Sequence, residues 1–400
     1  MILELIIALL CGVTAGTLTG LAPGIHINLV SVVLLASLDK FQSIQLISLA
    51  SFIVAMSITH TFIDFVPSIF LGAPEEDSFL SLLPGHQLLM EGKGYEAFIL
   101  TLYGSIFAIP VILIFTPIFI YLLPLLYSLI KTILPFLLIF LSFYIIFRED
   151  NVLIGLSVFL LSGFLGLLAF NTPVKEPLLP LLSGLFGLSG LLISIKNKVS
   201  PKKQIILPLS RIKLPKRELL KSGIAALIFA PLCSFLPGIG SSHAATLGSE
   251  LFEQSRKSFL FLVGAVNTII MGLSYMTVYT IGKSRTGTAA AAKDILQNIT
   301  SADIMIILAV IVVSGIISFF VSIFVSRSFA RFLNRINYKY LTIVIILILV
   351  IVNIIFTNWL GLIVLITAAC LGVFTILSNS RRINLMAALI LPAIIYYLMN

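Results

Sequence analysis

The sequence is short of charge. Asp, Glu, Lys and Arg make up only 10% of its 400 residues, whereas soluble domains carry about 25%. Hydrophobic residues reach 59%, and the mean hydropathy is +1.17. Because so few charges cannot cover a water-facing surface, the composition excludes a soluble enzyme, a nucleic-acid-binding protein and a disordered scaffold. It predicts an all-α polytopic membrane protein of the cell membrane, in contact with lipids.

Cysteine and hydrolase motifs are scarce as well. Cys11, Cys233 and Cys370 lie in apolar stretches without CxxC spacing, so we predict neither a metal site nor a disulfide framework. HExxH and GxSxG are missing, so we expect neither an intramembrane hydrolase nor a cofactor. The apolar segment Met1–Leu10 carries Glu4 and no basic residue, which favours a retained membrane segment over a cleaved signal.

Positive charge is concentrated in one segment. The net charge is +9, and the range 196–221 holds nine Lys or Arg residues against Glu218, a net +8 (9 − 1). Since this segment separates two apolar halves and basic loops stay cytoplasmic, we predict a cytoplasmic linker rather than a nucleic-acid site. Contact with anionic headgroups is compatible with that position. Basic residues at 327–339 and 381–382 predict two further cytoplasmic loops.

The apolar stretches follow the same order on either side of this linker, which predicts an internal repeat. Each half has a stretch broken by Pro-Gly, then one span, a polar loop and four further apolar blocks. In the first repeat, 1–195, these lie at 1–39, about 44–71, 73–94, 97–130, 132–147, 152–170 and 178–195. In the second, 222–400, they lie at 222–255, about 258–282, 283–303, 303–326, 341–357, 359–376 and 384–399.

Short motifs support the repeat. Pro23-Gly24-Ile25 matches Pro237-Gly238-Ile239. Small residues at a spacing of four precede both motifs: they are Gly12, Gly16 and Gly20 in the first half, and Ala226, Ala230 and Ser234 in the second. The tips of the two broken stretches are therefore expected at 21–26 and 236–242.

The basic loops determine the expected topology. Only two spans fit between the loops at 196–221 and 327–339, so the stretch 222–255 must enter and leave on the cytoplasmic side as a re-entrant hairpin. Counting back through five crossings places residue 40 outside, so the hairpin 1–39 and the N-terminus are expected to begin outside. A hairpin with about five transmembrane helices is an odd unit, so the two repeats are inverted. Inverted repeats with broken helices are typical of secondary transporters.

The tips supply the candidate ligands of a substrate. A half-helix that begins after Pro-Gly directs free N–H groups and the positive end of its dipole at the cavity, which favours an anion. An alternative is that Pro-Gly merely kinks a packed span, that the glycines serve helix packing and that the polar residues only cap helices or satisfy interior contacts. The candidate substrate-binding residues are Pro23, Gly24, His26, Asn28, Pro237, Gly238, Gly240, Ser241, Ser242 and His243.

Polar groups within the spans are candidates for ion coupling. His60 and Asp64 are four residues apart and share a helix face, so they could relay protons, or Asp64 could bind Na⁺. The alternative for Asp64 is an interfacial position near the cytoplasmic end of its span. Asn267 and Ser274 could complete an ion site or form interhelical hydrogen bonds.

Three polar residues follow the span 258–282. Lys283, Arg285 and Thr286 could contact a substrate anion. The alternative is an ordinary polar loop.

The two tip motifs resemble those of a known family. Gly12-x3-Gly16-x3-Gly20-Leu-Ala-Pro-Gly-Ile and Leu-Pro-Gly-Ile-Gly-Ser-Ser-His are similar to the glycine-rich motifs of the large membrane subunit of tripartite tricarboxylate transporters, in a shorter, mainly archaeal branch. His26 stands where a second glycine is usual. The resemblance implies a permease for a carboxylate, driven by an ion gradient, with a small membrane subunit and an external binding protein.

We therefore expect a secondary active transporter for a small organic anion, with no enzymatic activity and no bound metal. Substrate would bind between the tips near the membrane midplane, and H⁺ or Na⁺ would be the coupling ion. The alternative is a translocase for an anionic lipid such as a polyprenyl phosphate, because two hairpins and a basic cytoplasmic side suit either function.

Overall fold

The fold was analysed in a computed structural model. It describes residues 2–22, 27–36, 41, 44–72, 80, 82–197, 201–236 and 240–399, except for the side chains of 28–29, 32–33, 36, 82–83, 128 and 131. Within these residues every regular element is a helix. Ten helical segments are long and apolar enough to cross a membrane. The prediction of an all-α polytopic membrane protein is thus confirmed.

Eight α-helices precede the basic linker. They are α1 (Ile2–Leu21), α2 (Ile27–Ala36), α3 (Leu46–Ile63), α4 (Leu82–Met90), α5 (Gly94–Phe147), α6 (Val152–Phe170), α7 (Leu178–Leu182) and α8 (Ser189–Lys196). A π-helical turn continues α3 through Pro67–Leu71, and another joins α7 to α8 through Ser183–Leu188.

Eight α-helices follow the linker in the described residues. They are α9 (Lys216–Cys233), α10 (Ser241–Leu251), α11 (Arg256–Ile281), α12 (Gly287–Leu296), α13 (Ser301–Leu333), α14 (Tyr338–Phe356), α15 (Trp359–Leu377) and α16 (Ala387–Met399). A 3₁₀ turn at Leu209–Arg211 lies in the linker, and another at Arg382–Met386 leads into α16.

Helix α5 differs from the predicted pair of blocks at 97–130 and 132–147. The backbone is helical over all 54 residues, about 80 Å if straight, which exceeds twice the hydrocarbon core. The helix must reverse, because Glu96 and Arg148 at its two ends bond Lys257 and Glu250, which lie close together in the chain. Tyr127 bonds Lys283 beyond the far end of α11. Four prolines inside α5 each remove one backbone hydrogen bond, so bending is less costly there.

The two broken stretches each return to the end at which they start. The Glu4 carboxylate accepts a hydrogen bond from the Gln45 N–H at 2.7 Å, so α1 and α3 begin together. In the second half, the Ser255 hydroxyl donates to the Glu218 carboxylate at 2.5 Å, so α9 and α11 begin together. In each half, the intervening helix, α2 or α10, must therefore run back. The path is that of a hairpin, and its re-entrant position in a membrane stays a prediction.

The third helix of one half runs against the third helix of the other. Residues 46–71 and 256–281 are both 26-residue segments, and each ends at a glycine in the left-handed region, Gly72 at φ 69° and Gly282 at φ 66°. Hydrogen bonds pair Ser57 with Tyr275 and Asp64 with Asn267. Because residue numbers rise along α3 as they fall along α11, the two corresponding helices are antiparallel. This geometry favours the inverted repeat, which stays a prediction.

The glycines of α1 pack against α3. A Cβ at Gly12 would lie 2.5 Å from the Phe52 carbonyl oxygen, and one at Gly20 would lie 2.8 Å from the Ile63 Cβ. A Cβ at Gly16 would overlap the carbonyl oxygen of Met56. Small residues let helix backbones approach closely where lipid provides no hydrophobic drive. The packing interpretation of the four-residue spacing therefore fits the structure.

Segments predicted to be cytoplasmic gather at one end of the helix bundle. Arg256 bonds Glu91 at 2.8 Å, and Arg381 bonds Glu250 at 2.7 Å. The backbone N–H of Gln204, in the basic linker, donates to the Asn334 side chain at 2.6 Å. The described parts of the polar loop 73–94 and of the predicted cytoplasmic loops at 196–221, 327–339 and 381–382 thus meet around the beginning of α11. Which face of the membrane this end occupies stays a prediction.

Candidate functional site

A cavity of about 640 Å³ lies at the N-terminal end of α10. The end of α9, just before the break in the second hairpin, lies beside α11, because the Ser234 carbonyl accepts from the Thr277 hydroxyl at 3.4 Å. Thr277 is in the last turns of α11, so this hairpin turns nearer that end than the middle of the helix. Four of the predicted ligands line the cavity together with the ends of α6 and α16: they are Gly240, Ser242, His243 and Arg285.

His243 is oriented by its own helix. The Gly240 N–H donates to Nδ1 of His243 at 3.2 Å, so Nδ1 is the acceptor and the proton of the neutral ring is on Nε2. The side chain is only 1% exposed, and its Nε2 has no hydrogen-bond partner among the described residues. A buried N–H at the lining of a cavity fits a ligand that accepts hydrogen bonds.

The same cavity has a second source of positive potential. Arg285 lines it from the segment between α11 and α12, and the N-terminal, positive end of the α10 dipole reaches it at Gly240 and Ser242. Asn171 and Tyr396 add polar groups from the end of α6 and from α16. A guanidinium, an imidazole N–H and a helix N-terminus together can hold a carboxylate.

A second polar cluster joins α3 to α11. The Asn267 Nδ2 donates to Oδ2 of Asp64 at 2.9 Å, and Asp64 is 0% exposed. Asn267 is the twelfth of the 26 residues of α11, which places the carboxylate at about mid-length of that helix. The arrangement argues against an interfacial Asp64. A buried carboxylate beside an amide can bind a cation.

His60 lies on the same side of α3 but bonds a different helix. Its Nδ1 pairs with the Thr19 hydroxyl at 3.1 Å, near the end of α1. A Cβ at the neighbouring Gly20 would be 3.3 Å from the Asp64 backbone nitrogen. The predicted coupling pair therefore adjoins the residues that lead into the first tip.

Other predicted residues are distributed differently. Ser274 pairs with the Thr286 hydroxyl at 3.0 Å, and Thr286 caps α12 by accepting from the Ala289 N–H. Lys283 does not line the cavity: its ammonium bonds the Tyr127 hydroxyl at 3.0 Å and lies 4.6 Å from that ring's centroid. Capping and interhelical bonding thus account for the observed contacts of these three residues.

The remaining candidates belong to the two tips. Ser241 is buried as the first residue of α10. Pro23, Gly24, His26, Pro237 and Gly238 lie outside the described residues, as does the side chain of Asn28.

The model of the Tripartite tricarboxylate transporter TctA family matches residues 6–387. The chain belongs to the TctA family. An uncharacterized protein of Methanocaldococcus jannaschii is 31% identical over 401 residues, which is 98% of this chain and 98% of that protein. No solved structure matches the chain significantly.

Membership of the TctA family sets the general class of function. The family comprises transporter subunits rather than enzymes, and its members work with a small membrane subunit and an external binding protein. The predictions of a membrane transporter and of no enzymatic activity are confirmed. The alternative of a lipid translocase receives no support from the family match.

Several polar contacts of this TctA-family chain were not predicted from the sequence. Tyr275 and Thr268 bond Ser57 and Thr61 across the α3–α11 contact, at 2.7 and 3.0 Å. Single hydroxyl groups are common in membrane spans, so spacing alone did not mark them. Glu250, which binds two arginines at 2.9 and 2.7 Å, was not predicted because it stands near the end of the broken stretch 222–255, far from the tip.

Proposed function

We propose that this chain carries a small carboxylate across the membrane together with a cation, H⁺ or Na⁺, as the large subunit of a tripartite transporter. The anion binds in the cavity at the N-terminus of α10, and the cation binds at Asp64. The observation that carries the proposal is His243, whose buried Nε2–H has no partner in the described residues and lines a cavity shared with Arg285.

The two hairpins offer opposite chemistry. Near the end of α1, the first hairpin meets the buried carboxylate of Asp64. At the start of α10, the second hairpin meets Arg285 and the N–H of His243. One hairpin thus suits a cation and the other an anion, which supports coupled movement of both. Asn267 bonds Asp64, so the helix that carries the cation site contacts the helix that precedes Arg285 in the chain.

The test is Arg285→Gln. A hydrogen bond to a charged group contributes about 1.5–3 kcal/mol, so we expect the Kd for citrate to rise about 10- to 100-fold. The measurement is equilibrium binding of radiolabelled citrate to the purified chain at constant ionic strength. Lys175→Gln is the matched control, because it removes the same charge from Lys175, an exposed residue in the loop after α6.

A lysine at position 285 separates the effect of the positive charge from that of the planar guanidinium. Arg285→Lys keeps the charge but loses the planar fork, so it should recover part of the affinity. Equal citrate affinity in Arg285→Gln and the unaltered chain would refute the anion site. A loss of equal size in Lys175→Gln would show a general electrostatic effect instead and would also count against it.

A further inference from the structure

A second cavity, of about 600 Å³, lies at the opposite end of α10. Helix α10 has 11 residues, so its two ends are about 16 Å apart. Ser242 and His243 face the first cavity, while Ser249 and Glu250 line the second. The hairpin helix therefore separates two cavities. Four arginines line the second one: they are Arg148, Arg256, Arg381 and Arg382.

Two buried nitrogen donors at this cavity lack a hydrogen-bond partner among the described residues. They are Nε2 of Gln254 and Nε of Arg382. The oxygen of the Gln254 amide is already used, since it accepts from the Ser222 hydroxyl at 2.8 Å, which fixes the amide nitrogen on the other side. Arg382 uses Nη2 to bond the carbonyl oxygens of Leu185 and Phe186 at 2.8 and 2.7 Å. Nε is a separate donor of the same guanidinium, and it has no partner among the described residues.

Buried polar groups are nearly always satisfied by protein, water or ligand. Both unsatisfied groups here are donors, so what they lack is an acceptor. The charge balance among the described residues favours the same conclusion, because their part of the lining holds four arginines and two acidic side chains, Glu250 and Glu253. Glu250 is occupied by Arg148 and Arg381, and it raises the pKa of Arg148 by charge attraction. Glu91, just outside this lining, pairs with Arg256.

We propose that this cavity is a second anion site, which binds a di- or tricarboxylate through Gln254 Nε2 and Arg382 Nε. Its assignment to the transported anion rests on the proposed function, whereas binding of a carboxylate does not. The site accepts the anion after it has passed α10. Each end of the hairpin helix then has one carboxylate site.

The experiment counts bound citrate per chain. Saturation binding of radiolabelled citrate to the purified protein should give two molecules for the unaltered chain. Gln254→Glu keeps an acceptor for Ser222 but replaces the free donor with a negative charge, so it should bind one. Arg285→Gln should bind one citrate with the unaltered Kd and a second about 10- to 100-fold more weakly, and the double variant should bind none with the unaltered Kd. Gln297→Glu, at an exposed residue after α12, is the matched control and should bind two.

A second variant tests the same cavity with a substitution at an exposed residue, which does not endanger folding. Glu253 is exposed at the lining of the same cavity, so Glu253→Gln removes a repulsive charge without burying a new group. It should tighten citrate binding at this site about threefold, since the neighbouring charge is partly screened by solvent. Gln254→Met, which removes the amide without adding charge, should lose the same citrate as Gln254→Glu.

The outcomes separate the two proposals. Two citrates bound to a folded Gln254→Glu chain would overturn the second site and indicate that water satisfies the donors. If Gln254→Glu loses one citrate while Arg285→Gln keeps both with the unaltered Kd, the second site stands and the proposed function fails. If the unaltered chain binds one citrate that either variant abolishes, a single site exists and the inference is wrong. Inorganic phosphate that displaces only the Gln254-dependent citrate would reassign that site to phosphate and overturn the carboxylate class.

Discussion

Asp64→Asn tests whether the buried carboxylate couples transport to a cation. The substitution is nearly isosteric, and the new amide oxygen can still accept from Asn267, now 2.9 Å away. A hydrogen bond to a charged partner contributes about 1.5–3 kcal/mol against about 0.5–1.5 kcal/mol for a neutral pair. The expected loss of stability is thus about 1–1.5 kcal/mol, which leaves the fold intact.

The effect on transport should be much larger. One charge moved across 100 mV gains about 2.3 kcal/mol, which corresponds to about 50-fold accumulation of substrate at about 1.4 kcal/mol per tenfold. Asp64→Asn should therefore lower gradient-driven accumulation about 50-fold for each cation that the carboxylate no longer binds. Exchange of internal for external substrate, which needs no net cation movement, should continue.

The assay uses proteoliposomes containing the chain with the small membrane subunit and binding protein of its family. Accumulation of radiolabelled citrate is followed under an imposed Na⁺ or H⁺ gradient, and exchange is followed without one. Asp303→Asn is the matched control, because the half-buried Asp303 accepts hydrogen bonds from the Thr300 backbone N–H and hydroxyl at the start of α13. Normal accumulation by Asp64→Asn would refute the coupling role, and loss of exchange together with accumulation would indicate general damage instead.

Two further predictions concern stability. Gly16→Ala should lower the free energy of unfolding by about 1–3 kcal/mol, since the new Cβ would overlap the Met56 carbonyl oxygen. Gly223→Ala should raise it by about 0.5–1 kcal/mol, because a Cβ there would meet only Phe107, at 3.6 Å. Thermal unfolding of both variants checks this, and equal shifts in melting temperature would contradict it. Hydrogen bonds from Arg256 and, to a smaller extent, Lys93 lower the pKa of the Glu91 carboxyl. The contribution of Glu91 to folding stability is therefore fully present above the ordinary glutamate pKa of about 4.3. It is lost as the pH falls through the lowered pKa of the folded state. Glu91→Gln should flatten that acid-side decline in melting temperature, and an unchanged pH profile would count against the contact.

Local sequence patterns were enough to predict the class of protein and much of its outline. Hydropathy sets which segments enter lipid, and the structure has helices over nearly all the predicted spans. Pro-Gly and the small residues at a spacing of four are local signals, and α1 does end just before the first motif. The sequence also predicted two separate apolar blocks where α5 reverses, although the backbone between those blocks stays helical.

The sites depended on contacts that no local pattern contains. Asp64 and Asn267 are 203 residues apart, so only the antiparallel packing of α3 on α11 makes them partners. Lys283 and Arg285 are both basic residues of one short segment of the sequence. In the structure the Lys283 ammonium contacts the Tyr127 ring, whereas Arg285 lines the cavity at the start of α10. The sequence by itself therefore determined which segments are apolar, where they break and which polar residues are exceptional. The tertiary structure decided which of those residues meet, because side-chain direction is set by packing between helices distant in the chain.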